Sequence, residues 1–98
     1  MELLKKELEN GLMIAISGRL DTSTAPQLEA MLRETLPGVT ELTLDCTDTN
    51  YISSAGLRVL LQAQKTMNRQ GKMTVTGVQE AVMEVFEITG FSGILTIA

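Results

Sequence analysis

The stretch LLKKELENGLMIAI, residues 3–16, sets two strand-like runs on either side of Asn10-Gly11. An Asn-Gly pair populates the positive-φ backbone of a type I′ turn, so the chain is predicted to open with a β-hairpin. The second run, Leu12 to Ile16, is apolar without a break and is ended by Gly18. Unbroken apolarity predicts a strand covered on both faces. Next, DTSTAPQLEAMLRETLPG reads as a first helix. Thr24 and Gln27 have the spacing of a capping box, and Pro26 falls in the first turn, where its missing N–H costs nothing. Leu28, Met31, Leu32 and Leu36 form the stripe expected to be buried, with Glu29 and Arg33 an outward i,i+4 pair.

VTELTLDC alternates with period two and predicts a strand. A loop from Thr47 to Ile52 then leads into a second helix that starts near Ser53 and Ser54 and ends at Gly71. In that helix Leu57, Leu60, Leu61 and Met67 are expected to face the core, and Arg58, Lys65 and Arg69 the solvent. KMTVTG is a further short strand. VQEAVMEVFEITG is a third helix with Val78, Ala81, Val82, Val85 and Ile88 inward, and GILTIA a last strand or extended segment. The order ββαβαβα(β) predicts an α/β domain: a mostly parallel, mixed sheet of four to five strands, about three helices and an N-terminal hairpin.

Length and composition narrow the function. At 98 residues the chain suits one domain, residues 1–98, with no visible linker or repeat. Aromatics are limited to Tyr51, Phe86 and Phe91, so Leu, Ile, Val and six Met must fill the interior. The net charge of −4, with eight scattered Lys and Arg, lacks the basic face that nucleic acid or an anionic membrane requires. No apolar stretch approaches the roughly 20 residues that cross a bilayer, and no leader is visible, which predicts a cytoplasmic location. Cys46 is the single cysteine and sits on the apolar rhythm Leu42, Leu44, Cys46. It reads as a small core residue.

Catalytic patterns are missing. With no histidine, His-based acid–base chemistry, Ser-His triads and most zinc sites are excluded. There is no P-loop, no G-x-S-x-G elbow and no S-x-x-K. A receiver-like phosphoacceptor site at Asp45, with Asp21 and Asp48 nearby, lacks the lysine that should follow a late strand, because Lys72 opens its strand. The chain is read as a non-enzyme that needs no cofactor or metal.

What remains is NYISSAGLRVLL, residues 50–61, in which two serines, Ala55 and Gly56 precede an amphipathic helix. A hydroxyl there can cap the helix, or it can be presented to a partner's chemistry. A phosphate at that spot is stabilised by the unpaired amides and partial positive charge of the helix start. Residues 38–57 contain Glu41, Asp45 and Asp48 and no Lys or Arg, so a phosphate is expected to add to a negative field.

GRLD (Gly18 to Asp21), LDCTDTNYISSAGLRVLL (Leu44 to Leu61) and ITGF (Ile88 to Phe91) together resemble the STAS domain of bacterial anti-sigma factor antagonists. The resemblance covers essentially the whole chain. It implies a switch that binds an anti-sigma factor, itself a serine kinase of the Bergerat ATP-binding fold, and so frees a sigma factor. Phosphorylation by that kinase ends the binding, and a serine phosphatase resets it. By position the phosphoacceptor is Ser54, with Asp21 the acidic residue beside it. Family members carry an aspartate immediately before the phosphoserine; here that position is Ser53, a second candidate hydroxyl. Ser53 is assigned as the cap and Ser54 as the presented group. The expected partner surface comprises Asp21, Asp48, Thr49, Asn50, Ser53, Ser54, Ala55 and Arg58. The alternative is a constitutive adaptor in a signalling or lipid-transport assembly, in which Ser54 only caps.

Overall fold

The computed structural model describes all residues 1–98. Its elements run β1 (Glu2–Leu8), β2 (Gly11–Leu20), α1 (Ala25–Thr35), β3 (Glu41–Asp45), β4 (Thr49–Ile52), α2 (Ser54–Gln70), β5 (Lys72–Thr76) and α3 (Glu80–Thr89), followed by a single 3₁₀ turn at Phe91–Gly93. They build one five-stranded mixed sheet in the order β1-β2-β3-β5, with β4 also on β2. Only β1 is antiparallel; β2, β3, β4 and β5 run parallel. The α/β class and the hairpin opening follow the sequence pattern.

The hairpin turn differs from expectation. Leu8 pairs with Gly11, so the loop is Glu9-Asn10, and no residue in it has positive φ. The Asn-Gly type I′ turn does not form. Gly11 is required for another reason: a Cβ there would overlap the carbonyl oxygen of Glu41 on the neighbouring strand. The β2 run is likewise not buried on both faces. Leu12, Ile14 and Ile16 are buried, while Met13 and Ala15 are half-exposed. The same alternation holds for Leu42 and Leu44 against Thr43, and for Met73 and Val75 against Thr74. Side-chain direction has period two, so the helices cover one face and leave the other open to solvent.

The buried helix stripes differ from expectation: that of α2 is wider and that of α3 narrower. In α1, Leu28, Leu32 and Leu36 are buried and Met31 only half so, and the Glu29–Arg33 pair forms at 3.5 Å. In α2 the core face is Gly56, Leu57, Val59, Leu60, Ala63, Gln64 and Met67; Leu61 is turned to the rim. In α3 only Val82 and Phe86 are buried. Ala81 is exposed and Ile88 is 86% exposed, contrary to expectation, because the inward seam is the i,i+4 pair Val82–Phe86 and Ile88 lies off it. The last strand expected over GILTIA does not form: Gly93 closes the 3₁₀ turn, Ile94 and Leu95 turn the chain, and the tail reaches the sheet only through one parallel bridge, Ile97 to Val75. Cys46 is buried, as expected, and burial pushes its thiol pKa up to about 11.

Candidate functional site

The loop expected from Thr47 to Ile52 contains a strand. After β3 the chain turns at Cys46, where the amide of Thr49 donates to its carbonyl at 3.0 Å, and then resumes pairing with β2 as β4. Short length and the polar sequence TNYI hide this strand, whose partners lie some 30 positions earlier in the chain. Thr49 is the residue this changes most. It is 1% exposed, and its hydroxyl donates to the carbonyl of Ile16 at 2.6 Å. Thr49 is therefore a structural clasp between β4 and β2 and not part of a partner surface.

β4 delivers the chain to the start of α2. The Ser53 amide donates to the carbonyl of Leu20 at 2.9 Å, which fixes the helix entrance beside the end of β2. Ser53 is extended (φ −101°, ψ 176°) and its hydroxyl accepts from the Gly56 amide at 3.4 Å, a long capping bond. A Cβ on Gly56 would come within 2.8 Å of both Cγ and the carbonyl oxygen of Leu20, so glycine lets the first turn sit against β2. Ser54 is the first helical residue and is exposed; Ala55 is half-buried against the core and Arg58 is exposed one turn further on. The amides of Ser54 and Ala55 have no partner within the protein, as the first turn of a helix dictates.

Asp21 follows Leu20 and so stands beside this entrance. Its carboxylate accepts from the Ser23 hydroxyl at 2.8 Å, the Ser23 amide at 3.0 Å and the Thr24 amide at 3.2 Å. These bonds, the Ser23 hydroxyl foremost, outweigh the opposing desolvation and hold its pKa down at about 2. The expected Thr24–Gln27 capping box is absent. Thr24 stands at the N-cap of α1, but its hydroxyl accepts from the Asp21 amide and donates to the carbonyl of Arg19, both at 2.8 Å. Asp21 has taken over the capping of this turn.

Two neighbours were missed in the sequence, Arg19 and Tyr51. They pair across β2 and β4, with the guanidinium carbon 3.9 Å above the ring centroid and Nε 3.5 Å from the Asp21 carboxylate. Tyr51 is 41% exposed. No local signal could have joined residues 19 and 51, because the join is the β2–β4 register.

The expected negative field is also corrected. Asp48 is exposed but lies at the opposite end of β4, roughly 16 Å from Ser53 at about 3.3 Å per residue. Asp45 is farther back and is engaged by Thr47, whose hydroxyl at 2.6 Å and amide at 3.0 Å lower its pKa. Around Ser54 the charges are instead Asp21, paired to Arg19, and Arg58. No three acidic or cysteine side chains gather as a metal site, and the receiver-like trio of Asp21, Asp45 and Asp48 is not assembled. Asn50 is exposed on β4, between the two ends.

The arrangement is a presented hydroxyl at a helix start, at the carboxyl end of parallel strands. No helix of the chain is long and apolar enough to cross a membrane. The family description of the STAS domain matches residues 2–98. The chain is 36% identical over 100 residues to BtrV of Bordetella bronchiseptica, a protein named as an anti-sigma factor antagonist, spanning all of this chain and 86% of BtrV. It is 33% identical to the anti-sigma-B factor antagonist of Listeria monocytogenes, over 86% of this chain and 75% of that one. Its fold matches the anti-sigma factor antagonist SpoIIAA of Bacillus, solved unphosphorylated (TM-score 0.84, 17% identity, 99% of this chain and 88% of that one) and phosphorylated (TM-score 0.76, 16% identity, 99% and 91%). The chain belongs to the STAS domain family, and the two relatives above carry the name of anti-sigma factor antagonist.

Proposed function

We propose that this protein is an anti-sigma factor antagonist, a non-catalytic binding switch of the cytoplasm that phosphorylation of Ser54 turns off. In the unmodified state it sequesters an anti-sigma factor that is a serine kinase of the Bergerat fold, releasing a sigma factor. A serine phosphatase restores the binding form. The observation that carries this reading is the division of labour between the two serines. The Ser53 oxygen is committed to the helix cap, while the Ser54 hydroxyl is exposed above two unpaired amides.

A phosphate of about −2 charge on Ser54 would be accepted by those amides and by the helix start, so the domain stays folded. It would change the face that a partner meets. Before modification the exposed features are Tyr51, Arg19 and Arg58 around an internally satisfied Asp21; afterwards a dianion stands among them. Docking through Asp21, Asn50, Ser53, Ser54, Ala55 and Arg58, extended to Tyr51 and Arg19, would place a kinase active site over the hydroxyl it modifies. Asp48 belongs to this surface only if the partner also spans the length of β4.

The test is incubation with a candidate anti-sigma factor kinase and ATP, followed by mass spectrometry. One phosphoryl group is expected on the wild type and on Ser53→Ala, and none on Ser54→Ala. A Ser54→Asp variant should bind the kinase more weakly than wild type. Absence of phosphate on wild type, with Ser54→Asp binding undiminished, would replace the switch with the constitutive adaptor.

A further inference from the structure

β1 is a free sheet edge. It pairs only with β2, six of its seven residues are exposed, and Leu4 and Leu8 on the open face of the sheet are 65% and 42% exposed. An edge of this kind is a template for another strand unless its charges forbid it. The charges here do the reverse. From the pairing with β2, Glu2, Leu4, Lys6 and Leu8 share the open face with Ser17, Ala15 and Met13, and Leu3, Lys5 and Glu7 share the helix-covered face with Ile16, Ile14 and Leu12.

We infer that β1 is an interface for a second copy of this chain, joined antiparallel to its own β1 about a two-fold axis at Leu4. Backbone phase restricts the choices first. Leu8 and Gly11 flank a two-residue loop and form the hydrogen-bonded pair, so Leu8, Lys6, Leu4 and Glu2 turn their backbone groups to β2. Leu3, Lys5 and Glu7 therefore turn theirs outward. Two outward residues must face each other across the new ladder, which requires the axis to pass through a residue and not between two.

Side chains then select among the four central positions. An axis at Lys5 or Lys6 sets that lysine against its own copy. An axis at Leu3 sets Glu2 against Leu4 and shortens the overlap. An axis at Leu4 sets Leu4 on Leu4 and Glu2 on Lys6, twice by symmetry, with Leu3 and Lys5 exchanging backbone bonds. In that arrangement Leu4 and the Glu2–Lys6 pairs fall at non-hydrogen-bonded positions, where side chains approach most closely. Isologous self-complementarity of this sort is what a two-fold dimer demands. The result is one continuous sheet with both helical layers on the same side. The axis lies beside Ala15, five residues from Leu20, so the start of α2 stays open in each copy.

One strand edge per partner is a small interface, of the class below about 1,200 Å² in total, so association is concentration-dependent. Sedimentation velocity of the full chain from about 10 µM to about 1 mM should show the mass rising from 10.6 kDa toward twice that value. Lys6→Glu opposes carboxylates at both symmetric pairs and should weaken association about tenfold or more. The swap Glu2→Lys with Lys6→Glu restores both pairs and should recover wild-type association. Lys5→Pro removes an outward donor without removing a β1–β2 bond, and should abolish it. Each variant is checked by circular dichroism for a wild-type melt. A monomer at every concentration overturns the inference, as does a dimer indifferent to Lys6→Glu and Lys5→Pro, or one that the charge swap fails to rescue while the fold is intact.

Discussion

Gly56→Ala sets two known effects against each other. In an exposed helix the change stabilises by about 1 kcal/mol, because alanine loses less backbone entropy. At residue 56 the added carbon would lie 2.8 Å from Leu20 Cγ, 2.8 Å from the Leu20 carbonyl oxygen and 2.9 Å from Ile52 Cγ1. One of these is backbone and the other two belong to side chains in the buried core, so none is a flexible end that can swing aside. Overpacking of this kind costs about 1–3 kcal/mol. The propensity gain is also smallest in the first turn. The clash should win, with a net destabilisation of about 1–2 kcal/mol. For a domain of this size that is a fall in Tm of about 4–15 °C. The assay is thermal and urea unfolding followed by circular dichroism, with Gly93→Ala as the control, since a carbon there meets nothing within 4 Å. The control should stay within about 0.5 kcal/mol of wild type. A Gly56→Ala protein that melts at or above the wild-type temperature would refute the claim that close contact with β2 sets the position of the helix start, and with it of Ser54.

Three further outcomes are expected. Thr49→Val removes the hydroxyl that satisfies the Ile16 carbonyl in the interior, and should cost about 1–3 kcal/mol in urea unfolding while leaving partner affinity unchanged. Ser53→Ala should cost about 0.5–1 kcal/mol, at the low end for a cap because its bond is long, whereas Ser54→Ala should cost almost nothing; equal losses would contradict the assignment of the cap. The folded pKa of Asp21 lies at about 2, below its ordinary 3.8, so its contribution to stability is complete above pH 3.8 and fades as pH falls through about 2. The stability gap between wild type and Asp21→Asn should therefore close over that acid window, and a gap unchanged from pH 5 to 2 would contradict the bonding described at Asp21.

The sequence alone determined the parts of this protein that are written locally. Period-two and period-3.6 patterns gave the order of elements up to the third helix, apart from β4. Pro26 marked the first turn of α1, and the Ser-Ser-Ala-Gly start marked the candidate site because capping chemistry is a property of adjacent residues. Only the tertiary structure decided what depends on distant partners. That Thr49 is a clasp and not a contact, that β4 exists and so holds Asp48 far from Ser54, and that Arg19 lies on Tyr51 all follow from the pairing of β2 with β4. A register joins residues some thirty positions apart, and nothing within either segment encodes it. The same holds for burial: Ile88 and Leu61 are as apolar as their neighbours, but a helix seam is chosen by the surface it meets, and that surface is built by the rest of the chain.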